Sequence, residues 1–85
     1  MKDFSKKIKA DWNFFAEFFF HQLHTVSGQQ RWHVSVKDVQ GHSIFFNMEK
    51  RTDGSWKIVN APKVPDWIMG LETILNNSIM ENLAA

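Results

Sequence analysis

The chain has 85 residues, with ten Lys and Arg against nine Asp and Glu, four His, no Cys and no Tyr. One domain fits that length, and a chain so short buries only about 60–65% of the surface its unfolded form exposes. The missing Cys excludes disulfides and thiolate chemistry, the net charge of +1 excludes a dedicated polybasic or polyacidic protein, and 44% apolar residues are too many for a disordered chain.

Residues 3–26 read as one amphipathic helix. Phe4, Ile8, Trp12, Phe15, Phe19, Leu23 and Val26 recur at spacings of three and four, which stacks them on one stripe. Phe14 and Phe18 widen the stripe on one flank and Ala16 on the other. The apolar arc is then wider than the ~100° a surface helix needs, and Phe20 falls outside even that. Asp3 or Ser5 suits the N-cap, and Gly28 suits the left-handed position after the last turn. Lys6, Lys7 and Lys9 oppose the helix dipole by a few tenths of a kcal/mol each, roughly, so the firm helix is expected from about Asp11.

Three strands follow, at about 31–37, 43–50 and 55–60. Trp32, Val34 and Val36 alternate with polar neighbours, as do Ile44, Phe46 and Met48, then Trp56 and Ile58. Period two means a sheet buried on one face. Both connections place a Gly four residues after a Lys: Lys37 to Gly41, and Lys50 to Gly54. Three-residue hairpin loops end on such a left-handed Gly. The expected pairs are Trp32 with Met48, Val34 with Phe46 and Val36 with Ile44, then Met48 with Trp56 and Phe46 with Ile58. An extended crossover at about 60–64, enforced by Pro62 and Pro65, leads to a second helix at about 65–82. Pro65 suits its first position and Asp66 its first turn. Trp67, Ile68, Leu71, Ile74, Leu75 and Ile79 form its expected buried stripe, with Met69 and Met80 pointing away. Gly70 inside it permits close approach of another element.

The expected fold is therefore α+β: a single α-β-β-β-α domain over residues 1–85, a two-layer sandwich in which two helices cover one face of a three-stranded antiparallel meander. The charged start has no apolar signal-peptide core. The most apolar run, from Phe14 to Phe20, is seven residues with Glu17 inside it, against the roughly 20 a membrane span needs. The reading is cytoplasmic, with no membrane segment.

Chemistry-bearing constellations are few. His21 and His24 have helical i, i+3 spacing, with His33 and His42 as further ligands. On a helix the pair projects away from the sheet that carries His33, and no carboxylate has ligand spacing to it, so no metal is expected. Asp38, His42 and Ser43 gather at the first hairpin loop, but a triad needs a buried acid and an oxyanion hole. Asp38 and Asp53 read as turn residues. Neither catalysis nor a cofactor is expected.

Two surfaces suggest partners. The first is the aromatic surplus of helix one. A single sheet covers half the helix, leaving Phe14, Phe18 and Phe20 as a contact surface. This makes the chain an interaction or adaptor module that forms a homodimer or binds another protein. The second is the outer sheet face, with Arg31, His33, Lys37 and Lys57 beside Glu49 and Phe45. It suits nucleic acid, with phosphates on the cations and a base on Phe45. A third reading is a small-molecule or lipid pocket between helices and sheet.

The element order resembles the double-stranded RNA-binding domain in topology over most of the chain. That family has Lys-Lys-x-Ala-Lys at the start of its last helix, where this chain reads Val64-Pro65-Asp66-Trp67-Ile68-Met69-Gly70. Its Gly-Pro-x-His loop is Asp38-Val39-Gln40-Gly41-His42 here. The resemblance therefore implies a topology and transfers no functional residue. The run from Asp53 to Ile58 is similar to the Asp-Gly-x-Trp-Lys-Ile hairpin of nuclear-transport-factor-2-like pocket folds. Leu83-Ala84-Ala85 is similar to the end of the bacterial trans-translation tag, which implies recognition by a Clp-type protease.

Overall fold

The computed structural model describes residues 3–11, 13–23, 30–59 and 63–84. Five antiparallel strands run in sequence order across one curled sheet: β1 (Phe4–Asp11), β2 (Phe14–Leu23), β3 (Arg31–Lys37), β4 (Ser43–Lys50) and β5 (Trp56–Val59). Two helices follow, α1 (Asp66–Met69) and α2 (Glu72–Ala84). This overturns the three-stranded meander under two helices: the described part of the first helix is a β-hairpin.

The physical reason lies in one ambiguous spacing. Phe4 to Ile8 is four residues, close to one helical turn and equal to two strand repeats. The hairpin pairs Phe4 with Phe20 and Ile8 with Ala16. Ile8, Ala16, Phe18 and Phe20 are buried, while Ser5, Lys7, Phe15 and Phe19 are exposed. Lys7 and Lys9 now stand on the open face, and Lys6 reaches Glu81 of α2 at 3.3 Å. None of the three opposes a helix dipole any longer. A register shift between Lys9 and Asp11 brings Asp11 opposite Phe14. Trp12, His24, Val26 and Gly28, which the helical reading used, lie outside the described residues.

The β3–β4 hairpin has the expected register, with Val34 opposite Phe46. The next hairpin is shifted by two: Met48 faces Ile58, and Trp56 faces Lys50. A shift of two keeps the same side chains inside, and it makes the two loops alike. Gly41 N–H donates to the Asp38 carbonyl and Gly54 N–H to the Arg51 carbonyl, each at 2.9 Å. Both glycines have positive φ, 86° and 90°, with open space where a Cβ would sit. Only the backbone then resists substitution. Gly41→Ala and Gly54→Ala should each destabilise by about 1–2 kcal/mol, read as a lower urea midpoint at unchanged slope.

The inner layer is aromatic. Phe4 stacks on Phe20 at 4.4 Å and meets Trp32 edge-on at 5.3 Å; Trp32 meets Trp56 edge-on at 6.5 Å. Ile68, Leu75 and Ile79 cover this layer from the helical side. α2 touches both edge strands, β5 and β1. Its side chains also bond the free edge of β5: Trp56 N–H donates to Asn76 Oδ1 (2.7 Å) and Ile58 N–H to Glu72 Oε2 (2.9 Å).

The single helix expected at 65–82 is two. Pro65 is the extended residue before α1, with φ −59° and ψ 151°, and the first helix stops at Gly70. A Cβ at Gly70 would meet only the Asp66 and Trp67 carbonyls, at 3.6 and 3.8 Å, so this glycine serves the break between helices and not a close approach. The break turns the later stripe: Leu75, Ser78 and Ile79 are buried, Ile74 is exposed, and Met69 packs against the core.

Candidate functional site

Curling leaves one sheet face open, and strand alternation decides what stands on it. Phe19 of β2 pairs with Ser35 of β3, which pairs with Phe45 of β4. The two rings therefore stand on strands two spacings apart, about 10 Å, with a small residue between them. Phe15 lies four residues before Phe19 on the same face. These three phenylalanines are 63%, 52% and 62% exposed at positions 15, 19 and 45. They border a shallow groove of about 610 Å³ that ends at Lys37 and the β3–β4 loop. His33 stacks on Phe45, with ring centroids 5.8 Å apart, and its Nδ1 lies 2.9 Å from Asn47 Oδ1.

The same face is basic. It carries Lys7, Lys9, Arg31, Lys37 and Lys57 against Asp3, Glu17 and Glu49, a net +2. The rest of the sequence holds five cations against six carboxylates, a net −1. The overall +1 thus hides an uneven distribution. Two of the five cations already have acidic partners: Arg31 Nε lies 2.6 Å from Glu49 Oε2, and Lys57 Nζ lies 3.7 Å from Glu72 Oε1.

Arg31, His33, Lys37, Phe45 and Lys57 all stand on this open face, where the sequence pattern puts them. Phe14, Phe18 and Phe20 do not form an exposed surface. Phe18 and Phe20 are core, and Phe14 is half-buried with its ring edge-on to Trp67 at 6.3 Å. Sequence reasoning missed Phe15, Phe19, Lys7, Lys9 and Glu17 as members of the face. The strict alternation of Phe14, Ala16, Phe18 and Phe20 with Phe15, Glu17 and Phe19 is the signal that finds them.

The other constellations resolve locally. Asp38 Oδ1 accepts the Gln40 and His42 amides at 2.9 and 2.8 Å, so this carboxylate stabilises its own loop. Asp53 does the same for the second loop. Ser55 Oγ–H and N–H both donate to it, which holds its carboxyl below the usual aspartate value. Asp3 is lowered likewise, first by its bond to His21 and then by the Gln22 amide. Among the described residues no three His, Cys, Asp or Glu side chains converge as a metal site. No described helix is long and apolar enough to cross a membrane. Leu83 and Ala84 form the exposed last turn of α2. A separate depression of about 430 Å³ opens between β1, the β3–β4 loop and Trp67. No family model matches the chain, and neither the curated proteins nor the solved structures yield a match.

Proposed function

We propose that this protein binds single-stranded nucleic acid on the open face of its sheet. The observation that carries the reading is the coincidence of three exposed phenylalanines with a net +2 on one face. Bases offer both faces for stacking only when the strand is unpaired, and aromatic platforms interleaved with cations are the usual way to hold them. Phe19 and Phe45 each take a base across Ser35, and Phe15 extends the track. Lys7, Lys9 and Lys37 meet phosphates, while Arg31 and Lys57 stay with their carboxylates. Three phosphate contacts predict a salt slope of roughly −2 for a single strand.

Fluorescence anisotropy with labelled twelve-nucleotide oligo(dT) and oligo(U) tests this. Binding at 50 mM NaCl should weaken roughly 15–20-fold at 200 mM. Phe19→Ala and Phe45→Ala should each weaken it by about 5- to 150-fold, the equivalent of 1–3 kcal/mol per stacked base. Absence of binding at ~100 µM protein, well above the micromolar range of weak specific complexes, rejects the proposal. So does binding that the Phe19→Ala/Phe45→Ala double variant retains in full.

A second reading draws on the same three rings. Exposed apolar patches also mark protein interfaces, and two copies meeting through this face would bury all three. Sedimentation equilibrium separates the readings: a dimer that Phe19→Glu splits, without oligonucleotide binding, favours self-association.

A further inference from the structure

His21 and His33 sit directly opposite one another on β2 and β3. Opposed residues on neighbouring antiparallel strands have Cβ atoms about 4.5–5.5 Å apart. Both line one depression of about 380 Å³ on the open face, together with Asp3, Phe19 and Ser35. Each ring is engaged through Nδ1. His21 Nδ1 lies 2.6 Å from Asp3 Oδ2, and Asp3 is itself anchored by the Gln22 amide at 3.2 Å. His33 Nδ1 lies 2.9 Å from Asn47 Oδ1. Both partners are oxygen acceptors. In the neutral ring these acceptors place the proton on Nδ1, and the Nε2 lone pair is then the one a metal ion can take. A carboxylate or carbonyl oxygen behind the second ring nitrogen is the support that orients imidazoles for metal binding.

We propose that His21 and His33 form a two-imidazole site for a borderline divalent transition-metal ion: Cu²⁺, Ni²⁺ or Zn²⁺. Mg²⁺ and Ca²⁺ are excluded because they require oxygen ligands. With no third ligating side chain converging among the described residues, the remaining coordination positions go to water or to an exogenous donor. The site is open and does not hold the fold together. The sequence concealed it because His21 and His33 are twelve residues apart, and only the β2–β3 register brings them together. The helical spacing of His21 and His24 suggested a different pair.

The test is titration calorimetry on protein without an affinity tag, using CuCl₂, NiCl₂ and ZnCl₂ in turn, with MgCl₂ as control. One ion per chain is expected, tightest for Cu²⁺. His21→Ala and His33→Ala should each remove binding. Asp3→Ala should weaken it roughly 10–100-fold, the usual effect of losing an orienting partner, and His42→Ala should leave it unchanged. Far-ultraviolet circular dichroism checks that each variant keeps the fold. Binding that survives His33→Ala, or that depends on His24 in its place, overturns the assignment. Absence of heat with all three ions at ~1 mM, a concentration that saturates any site of micromolar affinity, overturns it equally.

Discussion

Replacing Phe20 by Glu should unfold the chain, and the same replacement one residue earlier, at Phe19, should leave it folded. Phe20 is 1% exposed, stacked on Phe4 and edge-on to Trp32. Truncating such a ring to Ala costs about 3–5 kcal/mol. A carboxylate adds the penalty of a buried, unpaired charge. A domain of this kind has a total stability of about 5–15 kcal/mol, so little or none remains. Phe19 points from the opposite face and loses only exposed surface. A helix over residues 3–26 makes the reverse forecast, because it puts Phe19 on the buried stripe and Phe20 outside it. Thermal unfolding of the two variants by circular dichroism therefore separates hairpin from helix, with one cooperative transition expected for Phe19→Glu and none for Phe20→Glu.

The second large effect concerns the edge of β5. In a free edge strand the outward amides form a template for pairing with another chain. Here the Trp56 and Ile58 amides are taken by Asn76 and Glu72 of α2. Removing one acceptor leaves a partly buried N–H without its partner, at about 1–3 kcal/mol. Asn76→Ala and Glu72→Ala should each lower the urea midpoint by that equivalent. The double variant should also gain concentration-dependent light scattering as edges pair. Thr73→Ala, an exposed neighbour on the same helix, should do neither. The other edge is protected differently: β1 carries Lys6, Lys7 and Lys9, and edge lysines disfavour strand pairing.

Legibility in the sequence differed along the chain for physical reasons. Strands β3 to β5 could be read because alternation and turn chemistry agree there. Trp32, Val34 and Val36 must share a face, and Gly41 and Gly54 mark the loops. The start could not be read by spacing alone, since Phe4, Ile8 and Trp12 fit both periods. Two facts pointed away from a helix: Phe20 fitted no apolar arc, and three lysines stood at the wrong end of the dipole. Both conflicts vanish when residues 4–11 and 14–23 are strands. The break at Gly70 was hidden because Gly tolerates helical φ, and here it has φ −68°.

The candidate site was half legible for the same reason. Arg31, His33, Lys37, Phe45 and Lys57 followed from the alternation of β3 to β5. Phe15 and Phe19 were assigned to a buried helical stripe, and Phe14, Phe18 and Phe20 to the exposed aromatic surface. The hairpin reverses this: Phe18 and Phe20 are core, and Phe15 and Phe19 join the basic face. The facing of His21 and His33 was beyond local patterning altogether, because it depends on how β2 pairs with β3.

The account's central claim is that this single face is where the protein meets its ligand. The most direct measurement is an amide ¹H–¹⁵N map of the labelled protein during titration with oligo(dT). Progressive shifts are expected across β1 to β4, centred on Lys7, Lys9, Phe15, Phe19, Ser35, Lys37 and Phe45, with α2 unmoved. Shifts centred on α2 or on the Arg51–Ser55 loop, or a spectrum unchanged by excess oligonucleotide, would contradict it.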